Sequence, residues 1–284
     1  MEKQNWKQAA RAYQADALPQ RTGVIQSVGA VRHEFPCLLQ FCARSGLCNR
    51  LRGWVGIGTL ADIFNLTFLV HWKGKPACGS TFTNVFEADT CAVMPSQRSV
   101  GKFNILRRFT DLRSVQNTEV YRGMMDVPDK LFWDRAKQRA RELKLLPHLT
   151  EQLEEFMKTL PAGIIGLHVR RTDLISRSKA DPRLHAVLDD IVAEAAAKDE
   201  EVNFLLCADN PKSVTSLKQR YGKRIFWRDQ DMGRRANRRP RCTTQANAAI
   251  DLYSLSRTER IIGTRRSSFS GYAAFLGGIA LQPV

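Results

Sequence analysis

The second half of the chain alternates short apolar runs with segments of helical period. From about residue 160 the order is "GIIGLHV", "DPRLHAVLDDIVAEAAAKD", "VNFLLCAD", "NPKSVTSLKQRYG", "RIFW", "TTQANAAIDLYSLSRTE", "RIIGT", "SSFSGYAAFLGG" and "IALQ". The short runs predict strands and the longer segments helices, so the pattern predicts βαβ units and a parallel sheet covered by helices. Asp181 before Pro182 and Asn210 before Pro211 mark helix starts, each an N-cap followed by proline at the first helical position. Gly222 marks the end of the second of these helices.

The first half follows the same logic more loosely. "CLLQFC" predicts a strand, "ARSGLCN" a loop, "RLRGWVGIGTLADIFN" a helix and "LTFLVHW" a second strand. Residues 76–128 show no clear period and read as a loop-rich stretch that contacts substrate. Helical segments at about 129–146 and 150–160 lead into the second half, which sets a domain boundary near Pro161 and Ala162, with domains of 1–160 and 161–284. No repeat recurs at a fixed period.

Composition narrows the class. With 284 residues the chain is long enough for two domains, and 43% hydrophobic content supports a core without crosslinks. Seven scattered cysteines cannot all pair within one chain, and none has zinc-site spacing, so they read as mostly reduced thiols. The first twenty residues carry no apolar h-region and no window reaches the 18 or so apolar residues of a membrane span. The expectation is a soluble cytoplasmic protein as the chain stands, or one in the secretory-pathway lumen if an N-terminal anchor has been removed. A net charge of +16 attracts anions, which leaves nucleic acid, acidic membranes and phosphorylated small molecules as partners.

The charged positions then separate these. In a parallel sheet, ligands bind beyond the carboxyl ends of the strands. "GIIGLHV" runs directly into Arg170, Arg171 and Asp173, with His168 just before them. Arginine suits a diphosphate because its planar donors pair bidentately with phosphate oxygens and stay charged. The competing role is a solvated turn with a structural Arg/Asp pair. In "IIGTRRSSFSGYAAFLGG", Ser267, Ser268 and Phe269 open a helix directly after a strand. A helix N-terminus with serine hydroxyls can hold an anion, although serine is also an ordinary cap.

Asp251 lies in "NAAIDLYSL", where Ala248, Ile250, Leu252 and Leu255 leave little polar face. A carboxylate there is turned to a specific partner. Guanine is one, since its N1–H and exocyclic amine form a donor pair that a carboxylate accepts and adenine lacks. An exposed aspartate paired with an arginine such as Arg257 is the alternative.

In "SGLCNRLRGWVGIG", Gly53, Gly56 and Gly58 fall inside the predicted helix rather than in the preceding loop, which excludes a dinucleotide fingerprint. The loop itself, Ser45 to Asn49, remains open to close approach by a ligand. "GRRANRRPRC", residues 233–242, carries five arginines without interleaved aromatics, and no zinc-finger or RNA-recognition signature accompanies it. Such a run is commonly solvated, with an acidic acceptor or nucleic acid as alternatives. "DQD", Asp229 to Asp231, has the form of a metal-binding triplet but lies in a polar connection where such triplets arise by chance.

In their order, "SGLCNRLRG", "IIGLHVRRTD", "FLLCADNP" and "AAIDLYSLSRTERIIGTRRSSFSGYAAFLGG" resemble the GDP-fucose-dependent fucosyltransferase superfamily. That group includes bacterial nodulation fucosyltransferases, the α1,6-fucosyltransferases of N-glycan cores and the protein O-fucosyltransferases. The likeness covers roughly residues 37–72 and 160–284 and leaves 76–160 outside it.

The resemblance implies an α/β protein with a GT-B-like fold, two Rossmann-like domains facing across a cleft, the C-terminal one holding most of the nucleotide. It implies inverting transfer of L-fucose from GDP-β-L-fucose to a glycan or glycoconjugate, with no metal and no cofactor. Carried over position by position, Arg170 holds the β-phosphate, Arg171 supports it, His168 lies beside the nucleotide and Asp251 reads guanine. Ser267, Ser268 and Phe269 contact phosphates and ribose, Asp209 of "FLLCADNP" joins the donor-binding set, and Gly46, Cys48 and Asn49 approach the diphosphate and fucose.

Two departures stand out. Cys48 occupies the place of the loop's usual second glycine, and Leu174 and Ser178 stand where the α1,6-fucosyltransferases carry a lysine and a glutamate base. Asp173 is then the first candidate base and Asp181 the second, unless the route is dissociative with little base assistance. Use of another GDP-sugar, or a non-catalytic polyanion- or nucleic-acid-binding role on the same fold, remain the alternative functions.

Overall fold

Two parallel sheets, one in each half of the chain, carry the fold. The computed structural model describes residues 23–24, 38–43, 46–63, 67–72, 80–87, 92–94, 105–106, 129–170, 190, 192–197, 201–209, 211–230, 243–264 and 267–284. The chain divides into two units, Met1–Leu146 and Pro147–Val284.

In the first unit, β1 (Gly23–Val24), β2 (Leu38–Ala43), β3 (Thr67–Trp72), β4 (Ala92–Met94) and β5 (Ile105–Leu106) form a sheet of order β1-β4-β3-β2-β5. Every pairing is parallel, with β2 against β3 from Leu38↔Thr67 to Ala43↔Trp72. Parallel neighbours need a long crossover, and α1 (Leu47–Ile63) supplies the one between β2 and β3. β4 and β5 lie in the stretch expected to be loop-rich, because strands of two or three residues are too short to display a period.

The helix α1 starts earlier than its apolar pattern indicates. Cys48 and Asn49 lie in its first turn and not in a loop, with Arg50 N–H donating to Gly46 O at 3.2 Å. Gly53, Gly56 and Gly58 are interior to the helix, as expected. Gly58 has a packing reason: a Cβ there would run into the Arg139 guanidinium of α2 (Asp129–Glu142), which packs on α1. Around this contact Trp54, Phe68, Trp72, Phe82, Phe86 and Phe132 are buried, and Trp72 meets Phe82 edge-on at 5.4 Å. Buried aromatic side chains of this size each contribute a large apolar area to the unit's stability.

The second unit holds α3 (Pro147–Lys158), β6 (Ile165–Val169), β7 (Phe204–Ala208), α4 (Pro211–Tyr221), β8 (Ile225–Phe226), α5 (Gln245–Leu255), β9 (Arg260–Gly263), α6 (Ser268–Gly277) and β10 (Ala280–Pro283). The sheet order is β10-β9-β6-β7-β8, all parallel. The helix α3 packs on α5, which is why the chain divides before Pro147 and not at Pro161 and Ala162.

β6 and β7 are buried at every residue, and alternate side chains serve the two faces. Ile165, Leu167, Val169, Phe204, Leu206 and Ala208 join Val214 and Leu217 of α4 in one apolar cluster. The opposite face is smaller and more polar. Gly166, His168 and Cys207 turn toward α5 and α6, and a Cβ on Gly166 would lie 2.7 Å from Thr258 Oγ1. Small and polar residues on that face let two helices approach closely near the carboxyl end of the sheet. No helix among the described residues is long and apolar enough to cross a membrane.

Candidate functional site

Three strand ends are tied together at the carboxyl edge of the second sheet. Beyond β6, Arg170 N–H donates to Thr264 Oγ1 at 3.1 Å, while Thr264 N–H and Thr264 Oγ1 each donate to His168 O at 3.2 Å. Asp209, just beyond β7, donates its N–H to Val169 O at 3.3 Å. Thr264 therefore fixes where the backbone of Arg170 leaves the sheet.

α6 begins at the same edge. Ser267 is its N-cap, its hydroxyl accepting from Phe269 N–H at 3.3 Å, and its own N–H reaches Thr264 O at 3.1 Å. Ser267 thus does cap the helix, with Ser268 its first residue, a role that leaves the remaining first-turn N–H groups and the positive dipole end available to an anion. Phe269 stacks on His168 with ring centroids 4.9 Å apart and an interplanar angle of 22°. His168, Arg170, Asp209, Ser267, Ser268 and Phe269 accordingly share one edge of one sheet.

Asp251 on α5 is 6% exposed and belongs to the same neighbourhood. Cys207 is in register with His168, and its thiol donates to Asp251 O at 3.7 Å. The pairing with Arg257 does not form: Arg257 pairs with Glu154 at 2.7 Å, because it lies beyond the last turn of α5 and faces α3. Asp251 instead pairs with Arg228, whose Nη2 lies 3.0 Å from Oδ1, while Gln230 Nε2 donates to Oδ2 at 3.1 Å. Burial raises the Asp251 pKa above the ordinary carboxylate value, opposed by the Arg228 charge and by the hydrogen bonds from Gln230 and Arg228. Burial also pushes the Cys207 thiol well up, so it stays a neutral packing group.

Arg228, Gln230, Asn247 and Thr264 belong to this candidate site through their contacts and carry no motif that singles them out. A signal for Arg228 existed: it follows the apolar run "RIFW" as Arg170 follows "GIIGLHV", and so falls at the same sheet edge. Its partner lies 23 residues further on, a pairing that no local pattern announces.

Other expected residues fall elsewhere. Arg171 and Asp173 lie outside the described residues, as do Leu174, Ser178, Asp181, the arginine run 234–241 and Asp231 of "DQD". Asp229 is exposed, and no group of three or more His, Cys, Asp or Glu among the described residues could hold a metal ion. In the first unit Gly46 and Cys48 are buried and Asn49 is half-buried at the start of α1.

No family model matches the chain, and no curated protein sequence matches it. Its three-dimensional structure, however, is similar to several solved enzymes. The NodZ alpha-1,6-fucosyltransferase co-crystallized with GDP matches with a TM-score of 0.53 and 17% identity, over 84% of this chain and 92% of that one. A variant of FUT1 from Arabidopsis thaliana in complex with GDP matches with a TM-score of 0.55 and 13% identity, over 98% and 77%. POFUT1 in complex with GDP matches at 0.51 and 12%, over 87% and 97%. The chain has the α/β fold of these GDP-fucose fucosyltransferases.

Proposed function

We propose that the protein is a fucosyltransferase that moves L-fucose from GDP-β-L-fucose to a glycan or glycoconjugate, with inversion and without a metal ion. The observation that carries this reading is the meeting of Arg170, the His168–Phe269 stack and the N-terminus of α6 at one sheet edge. That edge offers a cation, backbone donors and an aromatic surface to a nucleoside diphosphate. Solved proteins of this fold carry GDP or GDP-fucose, which supports the same ligand here.

In the proposed reaction an acceptor hydroxyl oxygen attacks C1 of fucose from the face opposite GDP. The bond between C1 and the β-phosphate oxygen breaks, its electron pair leaves with GDP, and the acceptor proton passes to Asp173. Negative charge grows on the departing diphosphate, so a fixed arginine stabilises the transition state more than the ground state. Arg170 takes that role, and Arg171 supports it. Because a guanidinium supplies the compensating charge, the reaction needs no divalent cation.

The test is calorimetric titration with GDP, ADP and UDP in EDTA, followed by a GDP-release assay on GDP-fucose with a panel of glycans. GDP-selective, metal-free binding and acceptor-dependent GDP release are expected. Equal binding of the three nucleotides, or a strict manganese requirement, would contradict the proposal. Turnover of a different GDP-sugar in place of GDP-fucose would move the donor assignment while keeping the nucleotide site.

A further inference from the structure

Asp251 is already engaged, and the group engaging it has a suggestive shape. The Gln230 carboxamide closes a ring with Arg228 and Asp251: Gln230 Oε1 accepts from Arg228 Nη2 at 3.2 Å, and Gln230 Nε2 donates to Asp251 Oδ2 at 3.1 Å. The third side is Arg228 Nη2 to Asp251 Oδ1 at 3.0 Å. A carboxamide presents an acceptor and a donor on one carbon, and the lactam edge of guanine, O6 beside N1–H, presents the same pair in the same order.

We propose that Gln230 is an intramolecular stand-in for the base of the nucleotide, holding the place between Arg228 and Asp251 that the lactam edge of guanine takes on binding. This rests on the reading of the sheet edge as a GDP-sugar site. Arg228 is held without Gln230, since Nη1 donates to Asn247 Oδ1 at 3.1 Å and the two N–H groups of Nη2, shared among Asn247 O, Asp251 Oδ1 and Gln230 Oε1, keep Asn247 O at 3.1 Å and Asp251 Oδ1 when Gln230 is gone. When Gln230 leaves, the donor and the acceptor therefore stay oriented on α5. Gln230 itself sits in the irregular segment after β8 and is half-buried, so its side chain can turn outward. Among the described residues the buried Arg228 Nε has no hydrogen-bond partner, so the ring leaves donor capacity unused.

The exchange conserves hydrogen bonds for guanine and defeats adenine. Arg228 would donate to O6 and Asp251 Oδ2 would accept from N1–H, replacing both bonds of Gln230. Adenine turns an amine toward Arg228 and an acceptor nitrogen toward Asp251, leaving two buried charged groups unmatched. Because Arg228 holds Oδ1, the exocyclic amine of guanine goes unread, unlike in a bidentate contact to both carboxylate oxygens.

The test is calorimetry of GDP, inosine 5′-diphosphate and ADP with wild type, Gln230→Ala and Gln230→Met. Wild type is expected to bind GDP and inosine diphosphate within about threefold of each other and ADP at least ~100-fold more weakly. Both variants should bind the first two about fivefold tighter, the scale of a removed competing hydrogen bond, with ADP unchanged. Unchanged or weaker GDP binding in both variants, a tightening shared by ADP, or a tenfold loss for inosine diphosphate would overturn the stand-in while GDP binding itself upheld the nucleotide site. Absence of GDP binding in wild type would overturn both readings.

Discussion

Each unit buries an arginine–aspartate pair, and the two are surrounded differently. Arg139 Nη1 meets Asp62 Oδ1 at 2.7 Å, with its guanidinium 4.5 Å from the Trp54 ring centroid and 5.0 Å from that of Phe68. Among the described residues its Nε and Nη2 have no hydrogen-bond partner, and Gly58 leaves the space it fills. Arg228 is instead held by amides and a carboxylate just beyond β8, at the carboxyl edge of a sheet. A pair sealed by aromatic rings can only pack, whereas a pair closed by a side-chain amide can open to a ligand. The chemistry of the two residues is the same, and the surroundings decide the role.

That contrast can be broken most directly in the first unit. Arg139→Ala leaves Asp62 with Arg135 as its one remaining ion-pair partner among the described residues and empties the space beside the Trp54 and Phe68 rings. A loss of about 3–5 kcal/mol in urea unfolding is expected. A change below about 1 kcal/mol, within the range of exposed pairs, would mean the pair is not sealed. The same truncation at Arg228 should be read by GDP affinity as well as by stability.

At the sheet edge, Arg170→Ala should lower turnover of GDP-fucose by about 10²-fold or more, the usual cost of a lost transition-state contact. Activity within about tenfold of wild type would remove Arg170 from that role. A smaller effect is expected from Asp251→Asn, which turns an amide donor toward the base: GDP should bind about tenfold more weakly, with ADP unaffected. An unchanged preference for GDP over ADP would reduce Asp251 to a structural partner of Arg228.

The smallest effect is in the pH dependence of stability. Burial raises Asp251 above its value in the unfolded chain, so the folded state holds the proton to higher pH. Ionising Asp251 thus opposes folding near neutrality, and this is relieved as pH falls through the raised folded value toward the ordinary carboxylate range. The melting temperature of wild type should accordingly rise relative to Asp251→Asn across that window. Parallel curves for the two proteins would mean Arg228 and Gln230 fully offset the burial.

Much of the second unit was legible because long strands and helices carry their periods openly. β6, β7, α4, α5, β9 and α6 lie where apolar runs and caps put them, and Arg170 and Ser267 fall at strand and helix ends as local rules require. The first unit was less so. β1, β4 and β5 are too short for a period, and α1 begins at Leu47 because its first turn carries Cys48 and Asn49, residues that also suit a loop.

The sequence by itself determined that apolar runs become strands, that the arginines after β6 leave the core at a strand end, and that Asp251 lacks a polar face of its own. These follow from periodicity and chain direction, which are local. Only the tertiary structure decided that Asp251 meets Arg228 and Gln230 instead of Arg257, that His168 lies on Phe269, and that Arg139 fills the space above Gly58. Each of those contacts joins residues far apart in sequence or on different elements. Such pairings are set by which helix covers which face of the sheet and how closely it packs, and no short window of the chain contains that information.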